Sequence, residues 1–181
     1  LVLREPVEIT TYRADAYDGE TRKPVVAFGD TLDDDLRRRD FSVNAMALRL
    51  PQQVLVDPFG GIDDLLVRRL RTPGPPGVSF GDDPLRMMRA ARFTSQLGFA
   101  ATPDTIAAMV ELAPRIGIVS VERIGAELSR LLLTDEPRAG SELLVDTGLA
   151  ELVIPEIPSR LRDIDEHAHH KDVYRQSLTV L

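Results

Sequence analysis

The 181-residue chain contains no cysteine. This absence excludes disulfide bonds and thiolate metal sites, and it fits a reducing compartment such as the cytoplasm. The chain also has no apolar run long enough to cross a membrane, and its first residues lack the basic region and apolar core of a signal peptide. Composition therefore predicts a soluble globular protein with no membrane segment.

Positive charge is scarce as well. The chain carries 22 lysines and arginines against 29 aspartates and glutamates, which gives a net charge of −7. This balance argues against a broad surface that coats nucleic acid, but it permits a local basic cleft, because binding depends on the field at the site. The three histidines, His167, His169 and His170, lie close together, and such a cluster either binds a divalent metal or forms a surface segment.

The hydrophobic pattern changes at a stretch rich in proline and glycine, residues 72–77, which we interpret as a hinge. Before it, the pattern predicts a strand at 7–12, a polar loop at 13–23, short helices at 31–36 and 62–66, and a hairpin at 45–57. After it, the pattern predicts helices at 84–96, 103–112 and 121–133, and from 137 to near 148. We therefore expect an α+β fold, with strands in residues 1–72 and an all-helical part in residues 78–158.

The most informative stretch is residues 81–93, in which two carboxylates precede a proline and three regularly spaced arginines. Asp83 can cap a helix that begins at Pro84, and Arg86 lies about one turn further along the same face. The later arginines are Arg89 and Arg92. This pattern is typical either of a site for an anionic, hydrogen-bonding ligand or of a solvated amphipathic helix.

Two further stretches combine unusual residues. The basic triplet 37–39 by itself indicates only solubility. Asp40 follows it directly, and Asn44 by itself indicates a turn or a cap. Residues 57–61 form a tight turn, in which Gly60 and Gly61 permit a positive φ.

Four motifs in order resemble those of class II tRNA nucleotidyltransferases, the CCA-adding enzymes, and of the related bacterial poly(A) polymerases. Residues 38–45 resemble the R-R-D-F-x-x-N-A signature, and residues 57–65 resemble the D-P-x-G-G-x-x-D-L element. Residues 82–93 resemble the E-D-x-x-R-x-x-R-x-x-R-F element, and residues 120–128 resemble the S-x-E-R-I-x-x-E-L element of the neck.

The resemblance implies a nucleotidyltransferase α/β head over residues 1–72 and a helical neck and body over residues 78–158. It implies transfer of CMP and AMP from CTP and ATP to the 3′ end of tRNA, without a nucleic-acid template and with Mg²⁺, in the cytoplasm. Asp83 and Arg86 would read the base edge, because cytosine and adenine each present an amino donor beside a ring-nitrogen acceptor.

The remaining roles also follow from the resemblance. Asp40 would accept from the sugar hydroxyl, and Arg39 would contact the phosphate or the base. Asp82 and Arg89 would also belong to the nucleotide-binding set. The motif residues with an expected structural role are Asn44, Asp57, Gly60, Gly61 and Arg92. Asp57 would belong to a flexible element between head and neck.

The chain departs from the family pattern in two respects. Asp82 replaces the longer glutamate of the family motif, and the D-x-D element that binds metal in the family is absent. We expect the metal carboxylates upstream of Leu1, with no catalytic or metal-binding residue in this chain, and we expect the chain alone not to polymerise. Glu8 is a weak candidate for a supporting carboxylate.

Residues 159–181 resemble a linker and the start of an HD-type phosphohydrolase domain, although Gln176 stands where its first metal histidine would be expected. Both ends of the chain read as cut from a larger protein. The alternatives to CCA addition are poly(A) addition, a non-catalytic RNA-binding relative, and an HD-type metal phosphohydrolase.

Overall fold

The computed structural model describes residues 13–16, 25–28 and 31–155. The strand predicted at 7–12, with Glu8, and the segment 159–181, with its histidines and Gln176, lie outside these residues. Among the described residues, no helix combines the length and the apolar character needed to cross a membrane.

Within the described residues, the strands form three pairs. Strand β1 (Arg13–Ala16) pairs antiparallel with β2 (Val25–Phe28). The loop predicted from residue 13 is therefore wrong at its start, because backbone pairing with β2 makes a strand of residues that have no strand pattern of their own. The predicted hairpin is confirmed by β3 (Ala47–Arg49) and β4 (Val54–Val56), and β5 (Arg69–Leu70) pairs in parallel with β6 (Ala100–Ala101).

The short helices α1 (Leu32–Arg37) and α2 (Gly61–Leu66) lie at the predicted places, and a 3-10 turn spans Ser42–Asn44. Helix α3 (Pro76–Asp82) was not predicted, since the prolines and glycines there indicated only a hinge. Its first residue is a proline, which lacks the N–H that a first helical turn leaves unbonded.

Four of the remaining helices confirm the pattern of the second half: α4 (Leu85–Leu97), α5 (Pro103–Leu112), α6 (Val121–Leu132) and α7 (Pro137–Asp146). The short helix α8 (Leu149–Val153) and a 3-10 segment at Ala113–Ile118 were not predicted. Thr102 caps α5 through its hydroxyl, as its position predicts. Ser120 precedes α6, but its side chain makes no capping bond, and only its carbonyl accepts from the amides of Arg123 and Ile124.

Helix α4 is the centre of the core, and it packs against α6 and α7. The contact with α7 is close because Gly140 has no side chain: a Cβ there would lie 2.2 Å from the carbonyl oxygen of Ala91. Phe41, which precedes the hinge, meets Phe93 of α4 edge to face at 5.6 Å between ring centroids. One buried cluster therefore contains residues from both sides of residues 72–77, and the division into a head and a helical part stays a prediction.

Candidate nucleotide-binding cleft

A cleft of about 560 Å³ opens where the turn after α1 faces the start of α4. It is lined by Arg38, Arg39, Asp40, Asn44, Asp83, Leu85, Arg86, Arg89 and Arg123. Five of these residues are arginines and two are aspartates, so the cleft is locally positive in a chain whose net charge is −7. Such a concave positive surface attracts anions.

Asp83 lies in extended backbone between α3 and α4 and keeps part of its acceptor capacity. One carboxylate oxygen accepts from the amide of Leu85 at 3.2 Å, but the helix begins one residue later than predicted, so Pro84 and not Asp83 occupies the N-cap position. The other oxygen accepts from the guanidinium of Arg123 at 3.2 Å. A carboxylate has about four acceptor positions, so Asp83 can take a further donor from a ligand.

Arg86 is held at one end of its guanidinium. Its Nη1 donates to the hydroxyl of Ser79 at 2.8 Å and to the Ser79 carbonyl at 3.3 Å, and its Nη2 donates to the carbonyl of Arg38. These contacts use at most three of the five N–H groups of an arginine. At least two, including that on Nε, have no acceptor within the part of the chain that the structure describes.

Asp40 is buried and saturated. One oxygen accepts from the amide of Phe41 at 2.8 Å and from Asn44 at 3.0 Å, and the other accepts from Nε of Arg89 at 2.8 Å and from its Nη2. Four donors therefore meet one carboxylate. A sugar hydroxyl at this position would have to share or replace one of them.

The two later arginines of α4, Arg89 and Arg92, both meet an internal carboxylate. Glu127 of α6, whose side chain is 4% exposed, lies 3.5 Å from Nη1 of Arg89 and accepts from Nε of Arg92 at 2.7 Å. The guanidinium of Arg92 also lies over the ring of Phe93, 4.1 Å from its centroid. Arg92 thus joins α4 to α6, whereas Arg89 joins Asp40 to Glu127 and still lines the cleft.

Arg39 reaches the cleft from the end of α1. Its guanidinium donates to Asp35 at 3.1 Å, and the side chain is 47% exposed. Arg38 donates to the other oxygen of the same carboxylate. Asp35, which sequence reasoning did not single out, therefore holds the two arginines of the R-R-D motif beside each other.

The turn at residues 57–61 lies away from the cleft. The carboxylate of Asp57 accepts from the amides of Gly61 at 2.7 Å and Ile62 at 2.9 Å and so caps α2. Gly60 has a φ of +69°, and a Cβ on Gly61 would lie 2.3 Å from the carbonyl oxygen of Ser42. A side chain at Gly60 would be strained, and one at Gly61 would clash with Ser42. The turn is fixed by these close contacts and by the two hydrogen bonds to Asp57.

Asp64, also missed from the sequence, lies beneath that turn with no exposed surface. It accepts from the Ser42 hydroxyl at 2.6 Å, from Nε of Arg69, and from Nε of Arg71 at 3.0 Å. Burial by itself would raise the pKa of Asp64, but these hydrogen bonds and the charge of Arg71 outweigh burial and hold the pKa below its ordinary value.

The comparisons with known proteins agree with the order of motifs. A family model described as "Poly A polymerase head domain" matches residues 2–71, and one described as "Probable RNA and SrmB- binding site of polymerase A" matches residues 98–161. The chain is 43% identical over 143 residues to the CCA-adding enzyme of Geobacillus kaustophilus, an alignment that covers 78% of the chain and 35% of the relative. The chain belongs to the family of CCA-adding enzymes and poly(A) polymerases.

Solved structures of CCA-adding enzymes resemble this one. The enzyme of Bacillus stearothermophilus in complex with CTP gives a TM-score of 0.70 at 41% identity, over 77% of this chain and 33% of that one. The Thermotoga maritima enzyme complexed with tRNA gives 0.65 at 28% identity, over 83% of this chain and 40% of that one. The chain spans about a third of the length of the curated CCA-adding enzymes that it matches.

Five of the six predicted nucleotide-binding residues line the cleft, and the motif residue Asn44 lines it with them. The five are Arg39, Asp40, Asp83, Arg86 and Arg89. Asp82 instead lines a neighbouring groove of about 290 Å³, and its nucleotide-binding role stays a prediction. Arg123 lines the cleft although sequence reasoning gave it no role, and the only signal was its place in the S-x-E-R-I motif, 40 residues after Asp83.

The Mg²⁺ that this family implies does not fit the carboxylates of the cleft. The four hydrogen bonds to Asp40 leave no acceptor position for a metal. Asp83 keeps acceptor positions, but it is a single carboxylate that already meets a helix amide and an arginine. Across residues 31–155, no three histidine, aspartate or glutamate side chains converge as metal ligands.

Proposed function

We propose that the protein containing this chain adds C-C-A to the 3′ ends of tRNA in the cytoplasm, using CTP and ATP and no nucleic-acid template. The observation that carries the proposal is the pairing of an acceptor and a donor in one positive cleft: Asp83 has acceptor positions to spare, and Arg86 has N–H groups to spare. The names and bound molecules of the similar enzymes support the choice of reaction, since one was solved with CTP and another with tRNA.

The pair suits two of the four bases. Cytosine and adenine present an amino donor next to a ring-nitrogen acceptor, whereas uracil and guanine present an acceptor next to a ring N–H. Asp83 accepts from the amino group, and Arg86 donates to the ring nitrogen. A wrong base would leave both groups unpaired, at a cost of about 1–3 kcal/mol each, and this cost supplies selectivity without a template.

The other arginines suit the rest of the nucleotide. Arg39 is exposed at the rim and can meet a phosphate, because a guanidinium offers a fork of donors that matches phosphate oxygens. Arg89 and Asn44 hold the carboxylate of Asp40 in place, and a sugar hydroxyl entering the cleft would share or replace one of the four donors that this carboxylate already meets. Asp40 and Arg89 therefore form the sugar-facing part of the site.

The test uses the complete gene product that carries this chain. It is given CTP, ATP, UTP or GTP with tRNA lacking its terminus, and we expect C-C-A addition. Asp83→Ala and Arg86→Ala should each lower the selectivity for CTP over UTP by about tenfold or more while the protein stays folded. Asp146→Ala, which removes an exposed aspartate at the end of α7, is the matched control and should leave selectivity unchanged.

Other results would contradict the proposal. Long A tails without use of CTP would indicate a poly(A) polymerase, and tRNA binding without incorporation would indicate a non-catalytic relative. Metal-dependent release of phosphate from nucleotides, without transfer to RNA, would indicate a phosphohydrolase. If selectivity survives both the Asp83 and the Arg86 substitutions, the base-reading assignment is wrong.

A further inference from the structure

We propose that Ser79 is a positioning residue for base selection: its hydroxyl fixes the direction in which Arg86 presents its donors to the cleft. The inference rests on the proposed base-reading role of Arg86. Ser79 lies in α3, outside the four motifs, and sequence reasoning gave it no role.

Ser79 is buried and makes direct hydrogen bonds to residues of the cleft. The residue is 7% exposed, and its hydroxyl oxygen accepts from Nη1 of Arg86 at 2.8 Å. Its carbonyl accepts from Nη1 of Arg86 at 3.3 Å and also from the amide of Asp83 at 3.2 Å. One residue therefore contacts both members of the proposed base-reading pair.

The guanidinium of Arg86 is anchored by two residues, Arg38 and Ser79. The carbonyl of Arg38 holds Nη2, and the hydroxyl of Ser79 makes the shorter of the two contacts to Nη1. Without the hydroxyl, Nη1 would keep only the 3.3 Å contact to the Ser79 carbonyl, which is beyond the usual range for such a bond. The plane of the guanidinium could then turn about the Arg38 contact.

Such a rotation matters because selection depends on direction as well as charge. A fixed donor meets an acceptor at one point on the base edge, whereas a mobile arginine can reach a carbonyl oxygen of uracil or guanine instead. An arginine side chain also loses about 2 kcal/mol of rotamer entropy when it is ordered, and prior ordering by Ser79 removes part of this cost from nucleotide binding.

The test compares serine variants in the complete gene product, with tRNA lacking its terminus as acceptor. Ser79→Ala should reduce the ratio of kcat/KM for CTP to that for UTP about fivefold to tenfold, mainly through faster use of UTP. Ser79→Thr retains the hydroxyl and should restore most of the ratio. Ser95→Ala is the matched control, because Ser95 is a buried serine whose hydroxyl accepts from the amide of Gly140 on the α4–α7 contact. It should lower stability and leave the ratio intact.

The outcomes separate this inference from the proposed function. If Arg86→Ala loses selectivity and Ser79→Ala keeps it, the inference about Ser79 is wrong and the base-reading role of Arg86 stands. If both keep it, the base-reading role itself is wrong. Should Ser79→Ala fail to fold, Ser79→Cys preserves the volume with a weaker acceptor, and wild-type selectivity in that variant would overturn the inference.

Discussion

Two aspartates of this chain, Asp64 and Asp83, each form ion pairs with arginine, but one stabilises the fold and the other faces the cleft. Asp64 has no exposed surface, and its oxygens are taken up by Ser42, Arg69 and Arg71. Asp83 is 27% exposed and accepts from only one amide and one arginine. The first arrangement closes a turn, and the second leaves acceptor positions that face a cleft.

The difference shows that residue type alone does not mark a ligand site. Both aspartates lie in motifs of the family, and each lies close in sequence to an arginine. What distinguishes them is the number of donors already in place, since a saturated carboxylate stabilises the fold and an unsaturated one can bind. The Asp64 cluster and the cleft can therefore be separated by their responses to substitution.

The largest effect on stability is expected at the closed turn. Gly61→Ala would place a Cβ 2.3 Å from the Ser42 carbonyl oxygen and 2.8 Å from the side chain of Met46. Because a backbone atom must move, we expect a loss of at least about 3 kcal/mol in the free energy of unfolding, at the upper end of overpacking costs. Urea denaturation measures it.

Gly77→Ala is the control for that substitution. Gly77 lies in α3, no atom lies within 4 Å of its Cβ position, and α3 borders the cleft region. Its replacement should change stability by no more than about 1 kcal/mol, in the stabilising direction. Equal losses for the two glycines would show that the turn is not the tightly packed region described here.

A smaller loss of stability, which depends on pH, is expected when Asp64 is replaced. Asp64→Asn removes the charge that the two arginines neutralise, and we expect a loss of about 1–3 kcal/mol near neutral pH. The pKa of Asp64 is depressed in the folded state, so its contribution is complete above the unfolded pKa, about 3.9, and is lost as the pH falls through the lower folded value.

The stabilities of the wild-type protein and the Asn variant should therefore differ most above about pH 5, begin to converge below about pH 4, and meet only below the depressed folded pKa. Denaturation curves at several pH values measure this difference. A difference that stays constant down to the lowest pH at which the protein folds would contradict the ionised, saturated carboxylate.

The smallest effect is expected in the cleft. Arg123 is 50% exposed and meets Asp83 through one nitrogen at 3.2 Å, and exposed pairs of this kind contribute about 0–1 kcal/mol. Arg123→Ala should leave the midpoint of urea denaturation almost unchanged. A loss above about 2 kcal/mol in the free energy of unfolding would show that the Arg123–Asp83 pair stabilises the fold as the Asp64 cluster does, and the contrast between the two aspartates would not hold.

Local pattern predicted much of the fold. The helices from α4 to α7 and the β3–β4 hairpin follow from apolar spacing, proline at helix starts and glycine in turns. Helix α3 was missed because its proline and glycines resemble a hinge, and its packing partner α5 begins more than 20 residues later. The β1 strand was missed because Arg13–Ala16 contains no β-branched or large apolar residue, so the pairing with β2 is its main support.

The sequence by itself determined which residue types stand at the motif positions and that Asp83 and Arg86 lie three residues apart at the start of a helix. The tertiary structure alone decided which arginines are already paired inside the protein. Arg92 pairs with Glu127, and Arg89 pairs with Asp40 and Glu127. Arg86 uses only some of its N–H groups. Spacing along a helix is a local property. Whether a donor is still available depends on groups 35 to 49 residues away, and only the packing of α4 against its neighbours brings them within hydrogen-bond distance.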